Sequence, residues 1–126
     1  MDGALHDLGL PFMVAEQNGE VLGYAYCGPW RPRLAHRHTA EDSRYLRPSA
    51  AGRGLGGTLL GELLQRSRAA GVHQMIAVIT AADGMPVEPA SVAVHKRHGF
   101  HEAGRLEQVG HKHGRWLDTL LYQRTL

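Results

Sequence analysis

The first half of the chain holds short apolar runs separated by residues that favour turns. Two runs, Phe12 to Glu16 (FMVAE) and Val21 to Tyr26 (VLGYAY), flank the Asn18-Gly19 pair, which is a strong hairpin signal. A third run extends from about Thr39 to Arg47 and must end at Pro48, because proline cannot donate to a sheet ladder. The pattern predicts three strands, of which the first two are antiparallel.

The period of the pattern changes in the middle of the chain. Gly71 closes the segment that follows Pro48, and Gln74 to Thr80 (QMIAVIT) is continuously apolar and partly β-branched. Such a run is typical of a strand covered on both faces, so the order is strand, helix, strand. The helix is predicted from leucines that recur at helical spacing, at Leu55, Leu59, Leu60, Leu63 and Leu64.

The last third of the chain predicts one more helix and two more strands. After a loop from Ala81 to Glu88, Pro89 begins a short helix that Gly99 terminates. Phe100 to about Leu106 and Trp116 to Arg124 (WLDTLLYQR) are strand candidates, whereas the segment from Cys27 to His38 has no period and predicts an exposed loop. We predict an α/β (α+β) fold with a mixed, mostly antiparallel sheet and flanking helices.

Composition limits the class of protein. A chain of 126 residues with 43% hydrophobic content is sized for one domain over residues 1–126. The apolar runs are far shorter than the roughly 20 residues of a membrane span, and no signal peptide is evident, so we expect a soluble cytoplasmic protein without a membrane partner. Cys27 is the one cysteine, which excludes an intrachain disulfide. A net charge of +2, carried by dispersed arginines, does not indicate nucleic-acid binding.

A glycine-rich loop precedes the first predicted helix. Free backbone N–H groups in such a loop, followed by those of a helix N-terminus, form a surface that binds phosphate oxygens. Glycines permit the close approach of the ligand, and an arginine adds positive charge. The alternative interpretation is a flexible turn. The candidate phosphate-binding residues are Gly52, Arg53, Gly54, Leu55, Gly56 and Gly57.

Three kinds of phosphate loop compete for this stretch. A Walker A loop needs Lys and then Ser or Thr after its last glycine, but Thr58 directly follows Gly57. The letters GRGLGG do satisfy the dinucleotide pattern, with Asp83 beyond the next strand. Against that reading, Pro48 to Ala51 separate the loop from the preceding strand, and the first strands form an antiparallel meander.

The third kind is the loop of the GNAT acetyltransferases, and the sequence resembles this family. Gly54 and Gly56 occupy the later positions of the pattern Gln/Arg-x-x-Gly-x-Gly/Ala. ASVAVHKRHGF, from Ala90 to Phe100, is similar to the second-helix signature of the family. YCGPWRPR and GHKHGRWLD resemble the phosphinothricin-type N-acetyltransferases. The matches cover nearly the whole chain from Phe12 onward.

The resemblance implies a cofactor and a set of site residues. Acetyl-CoA would lie with its pyrophosphate on the glycine loop and its pantetheine arm along Arg44, Tyr45 and Leu46, where the amide of Leu46 would polarise the thioester carbonyl. Glu41 matches the proposed general base, and His95 matches the position of the acid. Amine acetylation itself needs a base for the ammonium and a donor for the departing thiolate. Taken alone, Glu41 is typical of a solvated charge at the end of a strand, and His95 is typical of a surface or capping residue.

The sequence departs from the family pattern at three places. Ala51 replaces the usual Gln or Arg, and Glu88 stands where a cofactor-contacting asparagine is common, so Glu88 either faces the phosphates or points away. Only Met1 to Pro11 precedes the hairpin, so the first strand and helix of the family would be missing. A shortened chain, a fragment of a longer gene product and a domain that relies on a homodimer stay open as interpretations.

We predict an N-acetyltransferase that acts on the primary amine of a small amino-acid-like acceptor, such as phosphinothricin or methionine sulfoximine. Arg31, Arg33 and Arg115 are candidates to neutralise an acidic group of the acceptor. Trp30 and Trp116 are candidates for either the acceptor pocket or the core. The alternative function is a non-catalytic acetyl-CoA-binding or assembly module.

No metal site is expected. The histidine pairs of this sequence lie in predicted loops, and no carboxylates or thiols are clustered beside them to complete a set of ligands. The pairs in question are His36-x-His38 and His111-x-His113.

Overall fold

The computed structural model describes residues 10–31, 34–82 and 89–126. They form a mixed, mostly antiparallel six-stranded sheet in the order β1-β2-β3-β4-β6-β5, with two α-helices, so the predicted fold class is confirmed. The strands are β1 (Phe12–Gln17), β2 (Glu20–Pro29), β3 (Thr39–Leu46), β4 (Gln74–Ala82), β5 (His101–Lys112) and β6 (Arg115–Thr125), and the helices are α1 (Leu55–Ala69) and α2 (Ala90–Arg97).

The described residues fall into two compact units. The first contains the residues up to Met75 together with Thr125–Leu126, and the second contains Ile76–Arg124. One domain over the whole chain stays a prediction. Within the described ranges, no helix is long and apolar enough to cross a membrane.

In the first unit, the predicted hairpin is confirmed. Asn18 and Gly19 have φ angles of 53° and 80°, the left-handed conformation that a type I′ turn needs at both central positions. This turn pairs Gln17 with Glu20, and a bulge follows between Ala15 and Glu16. β2 continues to Pro29, past the predicted end at Tyr26, because Cys27, Gly28 and Pro29 pair with β3. The loop that we expected to begin at Cys27 therefore begins later.

One face of β2 and β3 packs on α1. Cys27 of β2 is fully buried, and its Sγ lies 3.4 Å from the Oγ of Ser67 on α1, which identifies this face. Because side chains alternate along a strand, the even-numbered residues of β3, from Ala40 to Leu46, point the same way. Leu60 and Leu63 of α1 are at most 1% exposed, and burial of each contributes roughly 1.5–3 kcal/mol. The leucine spacing thus predicted the correct helix face.

The opposite face of this part of the sheet carries aromatic rings. Tyr24 stacks on Tyr45 of β3 at 5.5 Å between ring centroids, and Phe12 of β1 stacks on Tyr26 at 5.5 Å. Tyr24 also lies 6.2 Å from Tyr26, so the four rings form one continuous stack across three strands. Offset ring pairs of this kind contribute about 0.5–1.5 kcal/mol beyond their burial.

In the second unit, β5 differs most from its prediction. We expected a strand that ended near Leu106, but β5 runs to Lys112 and its burial pattern is exposed at almost every position. The reason is an irregularity in its pairing with β6: the register jumps between Leu106 and Gly110. Gln108, inside this bulge, has a φ of 54°. A bulge interrupts the alternation that sequence patterns rely on, so the strand could not be followed past it.

The bulge of β5 is held by Asp118 of β6, which is 1% exposed. Its carboxylate accepts hydrogen bonds from the backbone N–H of Gln108 at 2.8 Å and from Nε of Arg105 at 2.8 Å. These two donors hold the pKa of Asp118 below its ordinary value. A buried charge therefore has both of the partners that it needs.

Candidate functional site

The glycine loop leads directly into α1. A 3₁₀ turn, Pro48–Ala50, follows β3, and Gly52 and Gly54 then adopt φ angles of 81° and 74°, which favour glycine. The regular hydrogen bonds of α1 begin with Thr58 N–H, which donates to the carbonyl of Gly54 at 3.1 Å. Within the described part of the chain, the six amides from Gly52 to Gly57 donate to no protein acceptor. The loop and first turn therefore present a row of donors at the positive end of the helix dipole.

Arg53 lies within this row, but its side chain makes hydrogen bonds to other residues of the protein. Nη2 donates to the carbonyl of Ser49 at 3.0 Å, and Nη1 lies 3.5 Å from Oε1 of Gln17 on β1. The guanidinium thus has two protein acceptors on the exposed surface. Its positive charge is still beside the loop, as predicted.

Arg44 reaches the same loop from below. Its side chain lies on the α1 face of β3, and Nη1 is 2.5 Å from the point that a Cβ atom on Gly56 would occupy. Gly56 is buried and lies in the first turn of α1. Burial lowers the pKa of Arg44, while the negative charge of Asp42 raises it. Only glycine at position 56 leaves room for this guanidinium in its present place.

Along β3, the backbone N–H and C=O groups of successive residues point alternately to the two edges of the strand. Arg47 N–H donates to the carbonyl of Leu22 in β2 at 2.8 Å, which fixes the phase of the hydrogen-bonding pattern. Bonded pairs alternate in an antiparallel ladder, so Tyr45 also directs its N–H and C=O toward β2. Arg44 and Leu46 direct theirs away from β2. Of the three residues predicted to pair with the pantetheine arm, these two have the suitable orientation.

Glu41 lies on the aromatic face of β3, in register with Gly28. Partial burial raises the pKa of its carboxyl, and the charge of the neighbouring Asp42 raises it further. Asp42 itself is 9% exposed and points to the α1 face. Sequence reasoning missed Asp42, although a carboxylate at an inward position of a strand is a signal, because buried charges need a reason.

His95 belongs to the second unit and is 3% exposed, so it is not the surface residue that its sequence taken alone suggests. Nδ1 lies 2.7 Å from the carbonyl oxygen of Ser91, one turn earlier in α2. A carbonyl only accepts, so Nδ1 carries the hydrogen in this contact. Phe100 packs edge-on against the ring at 4.8 Å, with an interplanar angle of 88°. The imidazole is therefore fixed in both orientation and tautomer.

Several predicted residues stand apart from these groups. Arg33 and Glu88 lie outside the described residues. Trp30 is half-buried with Arg31 5.8 Å from its ring, whereas Trp116 is 53% exposed and packs against His111. Among the residues that the structure describes, no three His, Cys, Asp or Glu side chains lie close enough to hold a metal ion.

Comparison with known proteins gives close relatives over most of the chain. A phosphinothricin N-acetyltransferase of Alcaligenes faecalis is 48% identical over 120 residues, which is 95% of this chain and 59% of that protein. An L-methionine sulfoximine/L-methionine sulfone acetyltransferase of Pseudomonas paraeruginosa is 45% identical over 119 residues, or 94% of this chain and 66% of that protein. The chain thus spans less than two thirds of the length of either relative.

The fold is similar to that of solved acetyltransferases. The crystal structure of a GNAT superfamily phosphinothricin acetyltransferase from Sinorhizobium meliloti in complex with AcCoA has a TM-score of 0.88 and 45% identity, and the match covers 98% of this chain and 64% of that one. The profile of the acetyltransferase (GNAT) family matches residues 2–100. The resemblance predicted from the sequence is confirmed, and the chain belongs to the acetyltransferase (GNAT) family.

Proposed function

We propose that this chain is an acetyl-CoA-dependent N-acetyltransferase of small amino-acid-like amines. The observation that carries the proposal is the row of amides from Gly52 to Gly57, which have no acceptor among the described residues and lie at the start of α1. Such a row fits the pyrophosphate of the cofactor. The solved relative from Sinorhizobium meliloti is a complex with AcCoA, which supports this assignment.

Glu41 is the proposed general base. A primary ammonium must lose a proton before its nitrogen can attack a carbonyl carbon, and Glu41 takes that proton directly or through one water. The raised pKa of Glu41 brings the basicity of its carboxylate closer to that of the amine. Glu41 lies on the sheet face that carries the aromatic stack, and we place the acceptor on this face.

Two further groups serve the acyl transfer in this proposal. Acetyl-CoA, when bound, supplies the activated thioester. The N–H of Leu46, directed away from β2, donates to the carbonyl oxygen as negative charge develops on it. As the new N–C bond forms and the C–S bond breaks, His95 gives a proton from Nε2 to the departing sulfur. The ring must then be doubly protonated, and the carbonyl of Ser91 keeps a hydrogen on Nδ1 throughout.

The proposed acceptors follow the names of the relatives, which act on phosphinothricin and on L-methionine sulfoximine or sulfone. Both kinds of acceptor carry an α-amino acid group and a second polar head. Arg31 and Arg115 are exposed arginines that can neutralise such an acid, and Arg33 stays a candidate from the sequence alone.

We also propose that the protein is cytoplasmic and forms a homodimer. The support for a partner chain is that three large apolar side chains of the second unit are exposed: Leu106, Val109 and Trp116 are 49%, 59% and 53% exposed. Light scattering coupled to gel filtration would show a mass near twice that of the chain. A monomer at all concentrations would contradict the homodimer.

Calorimetry with acetyl-CoA tests the central proposal, followed by a panel of amines with detection of the released thiol. Binding at micromolar concentration, together with thiol release that depends on phosphinothricin or methionine sulfoximine, is the expected result. Absence of binding at millimolar acetyl-CoA would refute the proposal. Binding without thiol release from any amine would favour a non-catalytic acetyl-CoA-binding module.

A further inference from the structure

The glycine loop lacks one polar side chain that its family pattern contains. Ala51 stands where Gln or Arg usually begins the motif. Arg53, the arginine within the loop, already donates to Ser49 and Gln17. A doubly negative pyrophosphate is therefore left with backbone amides and with an arginine that already uses two of its five N–H groups within the protein.

Arg44 is a second cation at the same place, and it is not tied to the protein in this way. The side chain is half-buried between β3 and the first turn of α1, with Nη1 in the space that glycine leaves open at position 56. Within the ranges that the structure describes, its guanidinium has no hydrogen-bond acceptor and no ion pair shorter than 4.0 Å. The nearby negative charge is that of Asp42, two residues earlier on the same face of β3.

The electrostatic balance of this corner favours an anion. The start of α1 carries a positive partial charge from its free amides, and the guanidinium of Arg44 adds a full positive charge below the first turn. Two positive groups at one point repel each other. An anion held by the loop amides would attract both and would give the guanidinium an acceptor.

We propose that the side chain of Arg44 binds the pyrophosphate of acetyl-CoA and supplies the polar contact that Ala51 cannot make. This inference rests on the proposed function. It is distinct from the main-chain contact with the pantetheine arm, because it concerns the guanidinium and the phosphates. Arg44 then determines how strongly the protein prefers a donor that carries phosphates over the same thioester without them.

The test compares Arg44→Met with the wild-type chain and uses two acetyl donors. Acetyl-CoA carries the pyrophosphate, whereas S-acetylpantetheine has the same thioester arm and no phosphate. Loss of one charged hydrogen bond lowers affinity by about tenfold to a hundredfold, so the Kd and KM of acetyl-CoA should rise by that factor. The kcat/KM for S-acetylpantetheine should fall by a much smaller factor, because this donor has no phosphate for the guanidinium to bind. Arg44→Lys keeps the charge but loses the planar guanidinium. Its affinity for acetyl-CoA should lie between those of wild type and Arg44→Met.

Arg66→Met is the matched control, because Arg66 is exposed on α1 and pairs with Glu62. Arg66→Met also removes one positive charge, and it should leave the Kd and KM of acetyl-CoA and the kcat/KM for S-acetylpantetheine unchanged. Equal affinity of Arg44→Met and wild type for acetyl-CoA, or an equal loss with both donors, would overturn the inference. Failure of the wild type to bind acetyl-CoA would instead refute the proposed function. If circular dichroism shows that Arg44→Met is unfolded, Arg44→Lys and Arg44→Gln carry the same comparison.

Discussion

The guanidinium of Arg44 occupies the space that a side chain on Gly56 would need, with Nη1 2.5 Å from the position of its Cβ. The same Cβ would lie 3.2 Å from Cδ1 of Leu46. The family pattern accepts Gly or Ala at this position. In this chain only glycine leaves room for the guanidinium of Arg44 in its present place. The choice of glycine at position 56 is therefore coupled to Arg44 of β3.

Gly56→Ala should therefore weaken acetyl-CoA binding without unfolding the protein. The methyl group displaces the flexible end of Arg44, while alanine in place of glycine favours a helix by about 1 kcal/mol. Calorimetry should show a higher Kd, and thermal melting should show little change. In an Arg44→Met background the same substitution should have almost no further effect, since the displaced group is gone. Additive losses in the double variant would argue against the coupling.

Glu41→Gln should lower kcat/KM by about a hundredfold or more at neutral pH, because the base is lost. Acetyl-CoA affinity should be retained, which separates this effect from a damaged cofactor site. Glu62→Gln, on the exposed surface of α1, serves as the control for loss of one carboxylate. Unchanged turnover in Glu41→Gln would remove Glu41 from the proposed mechanism.

The same substitution should stabilise the fold at neutral pH. The pKa of Glu41 is raised by burial and by Asp42, so the folded state holds this proton more tightly than the unfolded state. The protonated carboxyl of Glu41 therefore favours the folded state. This contribution is fully present below the ordinary pKa and is lost as the pH rises through the raised pKa of the folded state. Melting temperatures should be higher for Glu41→Gln than for wild type at pH 7, and the gap should close toward about pH 4. A gap that widens as the pH falls would contradict the sign.

His95→Gln should lower kcat more than it changes the KM for acetyl-CoA, because the proposed role of His95 is to protonate the departing sulfur. General acid catalysis typically contributes at least a hundredfold, and we expect a loss of about that size. His98, the C-cap residue directly after α2, offers a matched control: its Nδ1 lies 3.0 Å from the carbonyl of Val94, which is the same kind of backbone contact. His98→Gln should turn over normally. Equal losses in both variants would indicate damage to α2 instead of a catalytic role.

Asp118→Asn should destabilise the hairpin of β5 and β6. The carboxylate pairs with Arg105 and accepts from Gln108, and its pKa is lowered by both contacts. The stability that it contributes is present above its ordinary pKa and is lost as the pH falls through the lowered value. Wild type should therefore lose stability in acid more steeply than Asp118→Asn, as followed by thermal melting across that range. Parallel pH curves for the two proteins would refute the assignment.

Local signals gave the parts of the fold that depend on neighbouring residues. The Asn18-Gly19 turn and the buried face of α1 follow from conformational preference and from leucine spacing alone. The full extent of β5 did not, because its bulge depends on a carboxylate ten residues further along, at Asp118. The sequence of β5 itself does not indicate that Asp118 accepts this hydrogen bond.

The candidate site divides in the same way. The glycine loop could be recognised because its composition reflects its geometry. The contact of Arg44 with Gly56 could not, since it depends on how deeply α1 packs on β3. The burial of His95 could not be predicted either, because a histidine on a short helix of mixed composition gives no sign of the side chains that cover it.

The bulge at Gln108 also limits how another molecule can approach β5. β5 is the last strand in the sheet order, and an edge strand normally offers a ladder of N–H and C=O groups to any passing strand. The left-handed residue and the jump in register break that ladder near its middle. A second chain therefore cannot extend the sheet along the whole of β5, and the edge is protected against uncontrolled polymerisation. Contact at this edge must be made through side chains, which can be selected for one partner.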